Sequence, residues 1–269
     1  MSDYQQTAKS IRQKTLTMSY EAKGSHIGSC LSCVDILTVL YFKILNIDPA
    51  NPLADERDRF ILSKGHAAAS LYATLAQRGF FPEEILKKYS QDGEKLAGHP
   101  SRGCVPGVEV SSGSLGHGLP MAAGMALAAK RDKKSYRVFT LMSDGECDEG
   151  SVWEAALFSS HHKLDNLTVV IDRNQLQAFG RTSEVMELEP LAQKWQAFGW
   201  STTEINGHDF TALEAALSGV PAAVGKPSVI IAHTIKGKGV SFMEDKLEWH
   251  YRNLTKEEYE LAIKEVADN

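Results

Sequence analysis

The stretch Leu141–Asn174, LMSDGECDEGSVWEAALFSSHHKLDNLTVVIDRN, decides how this chain is read. It continues an apolar run from Val138 and Phe139 through Leu141 and Met142, then breaks at Ser143-Asp144-Gly145. Trp153, Ala155, Ala156, Leu157 and Phe158 follow as a helix, and a second apolar run (Leu167, Val169, Val170, Ile171) ends at Asp172 and Asn174. Two strands of one βαβ unit therefore finish in oxygen-bearing side chains. A right-handed crossover makes such strands parallel and brings their carboxyl ends to one edge. Ligands of open α/β sheets bind at that edge.

Working outward, the 269 residues are 43% hydrophobic and 23% charged, which suits one large α/β domain spanning 1–269 rather than two small ones. The net charge of −5 and the lack of a long basic run argue against nucleic acid or an anionic membrane as partner. The N-terminus MSDYQQTAKSIRQK carries no apolar signal region, and no apolar run approaches the roughly 18 residues a spanning helix needs. The expectation is a cytoplasmic protein. Cys30-Leu-Ser-Cys33 is a CxxC without a second CxxC to complete a zinc ribbon and without a strand before it, so buried, reduced thiols are expected.

The remaining pattern alternates helices and strands. Helices are expected over Tyr4–Lys23, closed by Gly24, over Val34–Leu45, capped by Ser32, and over Ala67–Gln77. Further helices are expected over Pro82–Tyr89, Leu119–Lys130, Leu191–Phe198 and Phe210–Leu217, with a charged one from Lys256. Strands are expected over Arg59–Ser63, Trp200–Ile205 and Pro227–Ala232 besides the two already named. The alternation predicts a doubly wound, mostly parallel sheet with helices on both faces.

Several loops carry chemistry. His26 stands in Gly24-Ser-His-Ile-Gly28, His66 where a strand turns into a helix, His99 in a glycine-rich loop, and His250 in the tail segment Trp249-His250-Tyr251. Asp144 and Asn174 supply hard oxygens, which suit Mg²⁺ or Ca²⁺ rather than a soft metal. Gly145 lets a backbone N–H approach a phosphate, and the helix beginning near Glu149 and Gly150 adds its dipole. The reading is a diphosphate-plus-metal site. It is not a Walker loop, and the spacing of Gly113, Gly116 and Gly118 is not a dinucleotide fingerprint. Taken alone, Asp-Gly at a strand end also fits an ordinary turn. His161, His162, His208 and His233 are expected to be structural or solvated, and the four tryptophans to be core or interface anchors.

The order Asp144-Gly145, Glu149-Gly150, helix, Asp172-Arg-Asn174 resembles the thiamine-diphosphate motif. The whole chain resembles the N-terminal, diphosphate-binding part of transketolase. That resemblance also covers Ser25-His26 with Gly28, Ser63-Lys64-Gly65-His66, Gly98-His99-Pro100, Gly113-Ser-Leu115-Gly116, Lys236-Gly-Lys-Gly and Glu248-Trp249-His250. It implies a thiamine-diphosphate-binding fold and transfer of a two-carbon ketol unit from a ketose (phosphate) to an aldose (phosphate). It implies Asp144, Asn174 and the main-chain carbonyl of Leu176 as metal ligands, and Gly145 against the diphosphate. His66 and His250 would bind the diphosphate and shape the reaction site, while His26 and His99 would hold substrate hydroxyls and shuttle protons. Imidazoles suit that role because they ordinarily titrate near working pH. Gly113 and Leu115 would touch the cofactor rings. Glu149 and Glu154 would be buried interface carboxylates that network toward a second cofactor site.

Ser143 stands where many relatives have glycine, and His117 where glutamine is frequent. The pyrimidine-binding and C-terminal domains of a complete transketolase do not follow Asn269, so the resemblance implies a split enzyme. A separate C-terminal subunit would complete each site, in a heterotetramer of two plus two. The alternatives are a subunit of a 2-oxo acid dehydrogenase-type thiamine-diphosphate enzyme and a non-catalytic paralogue.

Overall fold

The computed structural model of the chain describes residues 3–268. Five strands, β1 (Arg59–Leu62), β2 (Val138–Ser143), β3 (Leu167–Arg173), β4 (Ser201–Asn206) and β5 (Ser228–His233), form one sheet in the order β1-β2-β3-β5-β4. Every pairing is parallel. The helices in chain order are α1 (Asp3–Glu21), α2 (Ile27–Ser32), α3 (Val34–Val39), α4 (Ala68–Arg78) and α5 (Gly118–Arg131). They continue with α6 (Gly150–His161), α7 (Thr182–Val185), α8 (Leu191–Ala197), α9 (Phe210–Ser218) and α10 (Lys256–Asp268).

Strand side chains alternate between two apolar layers, as a sheet covered on both faces requires. Phe60, Leu62, Phe139, Leu141, Val170 and Ile230 face the layer built by α1, α3, α4 and α9. Ile61, Val138, Met142, Val169, Ile171 and Ile231 face α5, α6 and α8. All residues of the neighbouring strands β2 and β3 are buried, which is why they read as near-continuous apolar runs. Trp195, Trp200 and Trp249 are buried anchors, and the Trp153 ring packs against that of Trp195 at 5.3 Å. No helix among the described residues is long and apolar enough to cross a membrane.

The expected doubly wound sheet is present, with local differences. The left-handed residue after α1 is Lys23, not Gly24, because the carbonyl of Ser19 is satisfied by the Gly24 N–H once Lys23 turns the chain. The loop expected around Ile27 is helical through Ser32. Ser32 does not cap the next helix, since its hydroxyl donates to Asp172 Oδ2 and Ser29 O. The helix expected over Val34–Leu45 changes after Val39 into a π-type turn over Leu40–Ile44. Both CxxC thiols are free and buried, and burial pushes Cys33 up to about 12, so neither is a reactive thiolate.

Candidate active site

The register of β2 and β3 fixes the centre of the site. Ser143 pairs with Asp172, so the residues just beyond them, Asp144 and Asn174, leave the sheet at the same edge. Asp144 Oδ1 accepts the Gly145 N–H at 2.9 Å and Oδ2 accepts the Gln175 N–H at 2.6 Å. The second bond ties the two strand ends together. Gln175 adopts a left-handed conformation (φ 65°), a strained choice for a non-glycine residue that the Asp144 bond helps hold. Burial, followed by the nearby Asp172 carboxylate, pushes Asp144 up to about 6. A cation against it would favour its ionised form.

Ser143, Asp144, Gly145 and Asn174 line a cleft of about 400 Å³. Asp144, Gly145, Asn174 and Leu176 form one wall, and His26, His66, His99 and His250 belong to the same cleft, as do Gly113 and Leu115. The sequence scatters these residues over more than 200 positions, and the fold gathers all of them. The ring of His26 is the hub, with centroids 5.4 Å from His66, 5.8 Å from His99 and 5.0 Å from His250. Its backbone is held left-handed (φ 69°) at the start of α2, where its N–H donates to His250 O at 2.8 Å. Its Nδ1 is buried without a partner. A buried nitrogen left unsatisfied in a residue that lines a cleft is a departure that calls for a functional account.

Close backbone approach builds the far side. A Cβ at Gly113 would meet the His99 ring at 3.1 Å, and one at Gly65 would meet the Gly113 nitrogen at 2.7 Å. These contacts explain two of the glycines around the cleft.

Electrostatics correct one expectation. All four imidazoles are shifted away from working pH rather than toward it. Burial, then His99 and Lys236, lowers His26 to about 4. Burial, then Lys236, lowers His250 to about 3. Burial and the Lys64 charge lower His66 well below the usual range, and burial lowers His99. At neutral pH they are neutral rings with one donor and one acceptor each, suited to binding hydroxyls and carrying hydrogen bonds.

Glu149 also lines the cleft, but it and Glu154 are exposed, not buried. They stand at the start of α6, where the described residues leave both side chains open to solvent. Asp172, by contrast, does not line the cleft. It is fully buried in an ion pair with Lys64, and it accepts from Ser32 Oγ at 2.5 Å and from Thr234 Oγ1. Burial alone would raise Asp172, but Lys64 outweighs this and holds it below the usual carboxylate range.

The structure adds residues that sequence reasoning missed. Glu146 is buried and accepts from Ser63 Oγ at 2.5 Å, Ser143 N–H at 2.9 Å and Gly116 N–H at 3.0 Å. It thereby joins the β1 end, the β2 end and the glycine-rich loop. Its signal was present as Ser143-x-x-Glu146, a capping-box spacing that the structure realises. Lys236 is buried, donates to Leu176 O at 3.1 Å and contacts His250 Nδ1 at 2.7 Å. Burial, then the Lys64 charge, lowers it to about 8. It lies in the glycine-rich turn after β5, but nothing in that turn's spacing says which of its two lysines points inward.

The oxygens of Asp144, Asn174 and the Leu176 carbonyl each accept a hydrogen bond within the chain, and their chemistry is that of a hard-metal donor set. No cluster of three or more His, Cys, Asp or Glu side chains among the described residues could hold a metal ion. A carboxylate, an amide oxygen and a main-chain carbonyl remain, a sparse hard-oxygen set of the kind Mg²⁺ shares with phosphate oxygens and water.

The family model described as "Transketolase, thiamine diphosphate binding domain" matches residues 4–267. The chain is 46% identical over 257 residues to a protein of Phocaeicola vulgatus named as an apulose-4-phosphate transketolase subunit, covering 96% of this chain and 91% of that one. It is 43% identical over 264 residues to a 6-deoxy-6-sulfo-D-fructose transketolase subunit of a Clostridium species, covering 98% and 96%. Among solved structures, the transketolase of Leishmania mexicana superposes with a TM-score of 0.93 at 30% identity, over 99% of this chain but 42% of that one. The chain thus spans about two-fifths of the length of that solved transketolase and most of the length of the two named subunits. By sequence and by fold, it belongs to the transketolase thiamine-diphosphate-binding-domain family.

Proposed function

We propose that the chain is the cofactor-anchoring subunit of a two-chain transketolase, acting as one thiamine-diphosphate-binding domain. The observation that carries this is the pairing, in one cleft, of a hard-oxygen wall with a cluster of neutral histidine rings. The relatives matched over nearly their full length are named as single subunits of a transketolase, which supports a separate partner chain and disfavours a 2-oxo acid dehydrogenase component. The assembly is two plus two, in the cytoplasm.

In this reading Asp144, Asn174 and the Leu176 carbonyl hold Mg²⁺ or Ca²⁺, and Gly145 and His66 lie against the diphosphate. Gly113 and Leu115 support the cofactor rings. When bound, thiamine diphosphate supplies the electron sink for cleaving the bond beside a ketose carbonyl. The chain's own part is positioning. Lys236 donates to His250 Nδ1, which leaves the His250 Nε2–H as a donor toward the cleft. His26, with its unpartnered Nδ1, and His99 hold sugar hydroxyls and move protons at their oxygens. Glu149 becomes buried when another chain covers α6. The partner chain closes the cleft and excludes water, which strengthens each of these contacts.

The named substrates of the relatives, apulose-4-phosphate and 6-deoxy-6-sulfo-D-fructose, share an anionic group on a sugar. The donor here is taken to be a ketose bearing such a group. The test combines the chain with its partner, thiamine diphosphate and Mg²⁺ over a ketose panel. Ketol transfer by the complex and none by either chain alone is expected. Transfer by this chain alone, or 2-oxo acid decarboxylation without sugar transfer, would overturn the reading.

A further inference from the structure

We infer that Tyr251 is a donor-selecting residue, forming the outer wall of the sugar subsite beside His26. The inference rests on the transketolase reading and extends it to a residue outside the histidine set.

Tyr251 lines the cleft. Its ring lies 5.6 Å from that of His26 and 4.7 Å from that of His250, so it is a further ring on the same cluster. It differs from its neighbours in exposure: His250 is 9% exposed and Tyr251 is 58% exposed. The ring is therefore at the mouth of the cleft, farther out than the imidazole it touches. Its hydroxyl has no hydrogen-bond partner among the described residues.

The backbone beneath it is well held. Trp249 is buried and its Nε1–H donates to Phe242 O at 3.1 Å. The carbonyl of His250 accepts the His26 N–H at 2.8 Å, and the Tyr251 N–H donates to Glu248 O at 3.3 Å. A large aromatic on a fixed backbone, half in solvent and beside two proposed sugar-binding imidazoles, has a definite chemical use. Its face packs on the C–H groups of a sugar, and its phenol offers a donor to a hydroxyl or a terminal anion. With the reacting carbonyl among the buried histidines in this reading, a ring at the mouth is placed for the carbons beyond it. These distinguish one ketose donor from another, whereas the transferred two-carbon unit does not.

The test uses the assembled two-chain enzyme carrying Tyr251→Phe or Tyr251→Ala. KM and kcat are measured for phosphorylated and sulfonated ketose donors, together with the affinities for thiamine diphosphate and for the partner chain. Tyr251→Ala is expected to raise the donor KM by roughly tenfold, the size of a lost hydrogen bond with its packing. It should also shift the kcat/KM ratio between donor classes, with cofactor binding and assembly kept. Tyr251→Phe should show a smaller rise, confined to donors that use the hydroxyl. Unchanged KM and donor ratios in an active enzyme would overturn the assignment alone. So would a loss that tracks weaker cofactor binding or weaker assembly, the latter marking Tyr251 as a partner contact. A wild-type complex that transfers no ketol unit from any donor would overturn the transketolase reading, and this assignment with it.

Discussion

Lys236 Nζ lies 2.7 Å from His250 Nδ1. An ammonium has only donors, so the imidazole nitrogen facing it must accept, and the His250 proton sits on Nε2. The pair thus fixes a tautomer in the middle of the cleft. Lys236→Met keeps the buried stem but removes the donor, and lets the ring exchange tautomers. The expected result in the assembled enzyme is a fall in kcat of roughly 10- to 100-fold, up to the lower end of the range ascribed to a positioned acid–base group, since the ring is misoriented rather than removed. The affinity between the two chains should be unchanged. Steady-state kinetics with sedimentation as control checks this.

The lowered histidines also set an acid limit on stability. His26 and His250 are held neutral, to about 4 and about 3, while an unfolded histidine protonates near its ordinary value of about 6.5. Between those values the unfolded state binds more protons, so stability rises with pH. It is fully present above about pH 6.5 and declines as pH falls toward 4. Thermal melts from pH 8 to 4 should show a steep drop in that window, and His26→Asn with His250→Asn should flatten it. No flattening would place the acid sensitivity elsewhere.

The Lys64–Asp172 pair lies wholly out of solvent beneath the cleft, joining the ends of β1 and β3. Removing one partner strands a charge in the interior. Lys64→Met should destabilise the chain by about 3–5 kcal/mol, the usual cost of breaking a buried pair, read from urea midpoints. Asp172→Asn, which keeps an acceptor oxygen for only one of the Ser32 and Thr234 hydroxyls, still strands the Lys64 ammonium. A cost below about 1 kcal/mol for Lys64→Met would mean that Asp172 is solvated or protonated in the folded chain.

Much of this architecture was legible in the sequence, for a physical reason. Val138–Met142 and Leu167–Ile171 are buried on both faces, so they leave a near-continuous apolar signature broken only by Thr140 and Thr168, and Asp144 and Asn174 stand at their ends. His26, His66 and His99 were visible as histidines in glycine-containing loops, whereas His250, between Trp249 and Tyr251, was visible only through the family resemblance. Their protonation was not, because it depends on burial and on the charges of Lys64 and Lys236, contributed by distant segments. Asp172 and Asn174 look alike in sequence. Only the packing of Lys64, Ser32 and Thr234 around Asp172 sends it into the core while Asn174 reaches the cleft. The start of α2 was misplaced because His26 takes a left-handed conformation that no local propensity favours.

His208 gives a case where a histidine far from the cleft supports it. Its Nδ1 lies 2.8 Å from Asp35 Oδ2 and its Nε2 accepts the Ile235 N–H at 2.9 Å. Ile235 directly precedes Lys236, so the imidazole struts the turn that delivers the lysine. His208→Leu leaves Asp35 with Arg12 alone and the Ile235 amide unpaired. A loss of about 1–3 kcal/mol is expected, with faster amide exchange at Ile235. Unchanged exchange there would show that the turn does not depend on the strut.

Glu149 and Glu154 separate intrinsic stability from assembly. Both are exposed in this chain, next to the exposed Leu157 and Phe158 on α6. Glu149 is the N-cap residue of α6 but its side chain makes no capping hydrogen bond, and exposed substitutions that remove no cap bond or ion pair change stability by about 0.5 kcal/mol or less. Glu149→Gln and Glu154→Gln should therefore leave the melting of the isolated chain unaltered. If these carboxylates become buried in the assembly, the same substitutions should alter its dissociation constant, and by more than tenfold if the buried charges are paired there. Thermal melts of the single chain beside sedimentation of the complex make the comparison. Equal assembly affinities for wild type and double variant would assign these carboxylates to solvent and move the interface off this face of α6.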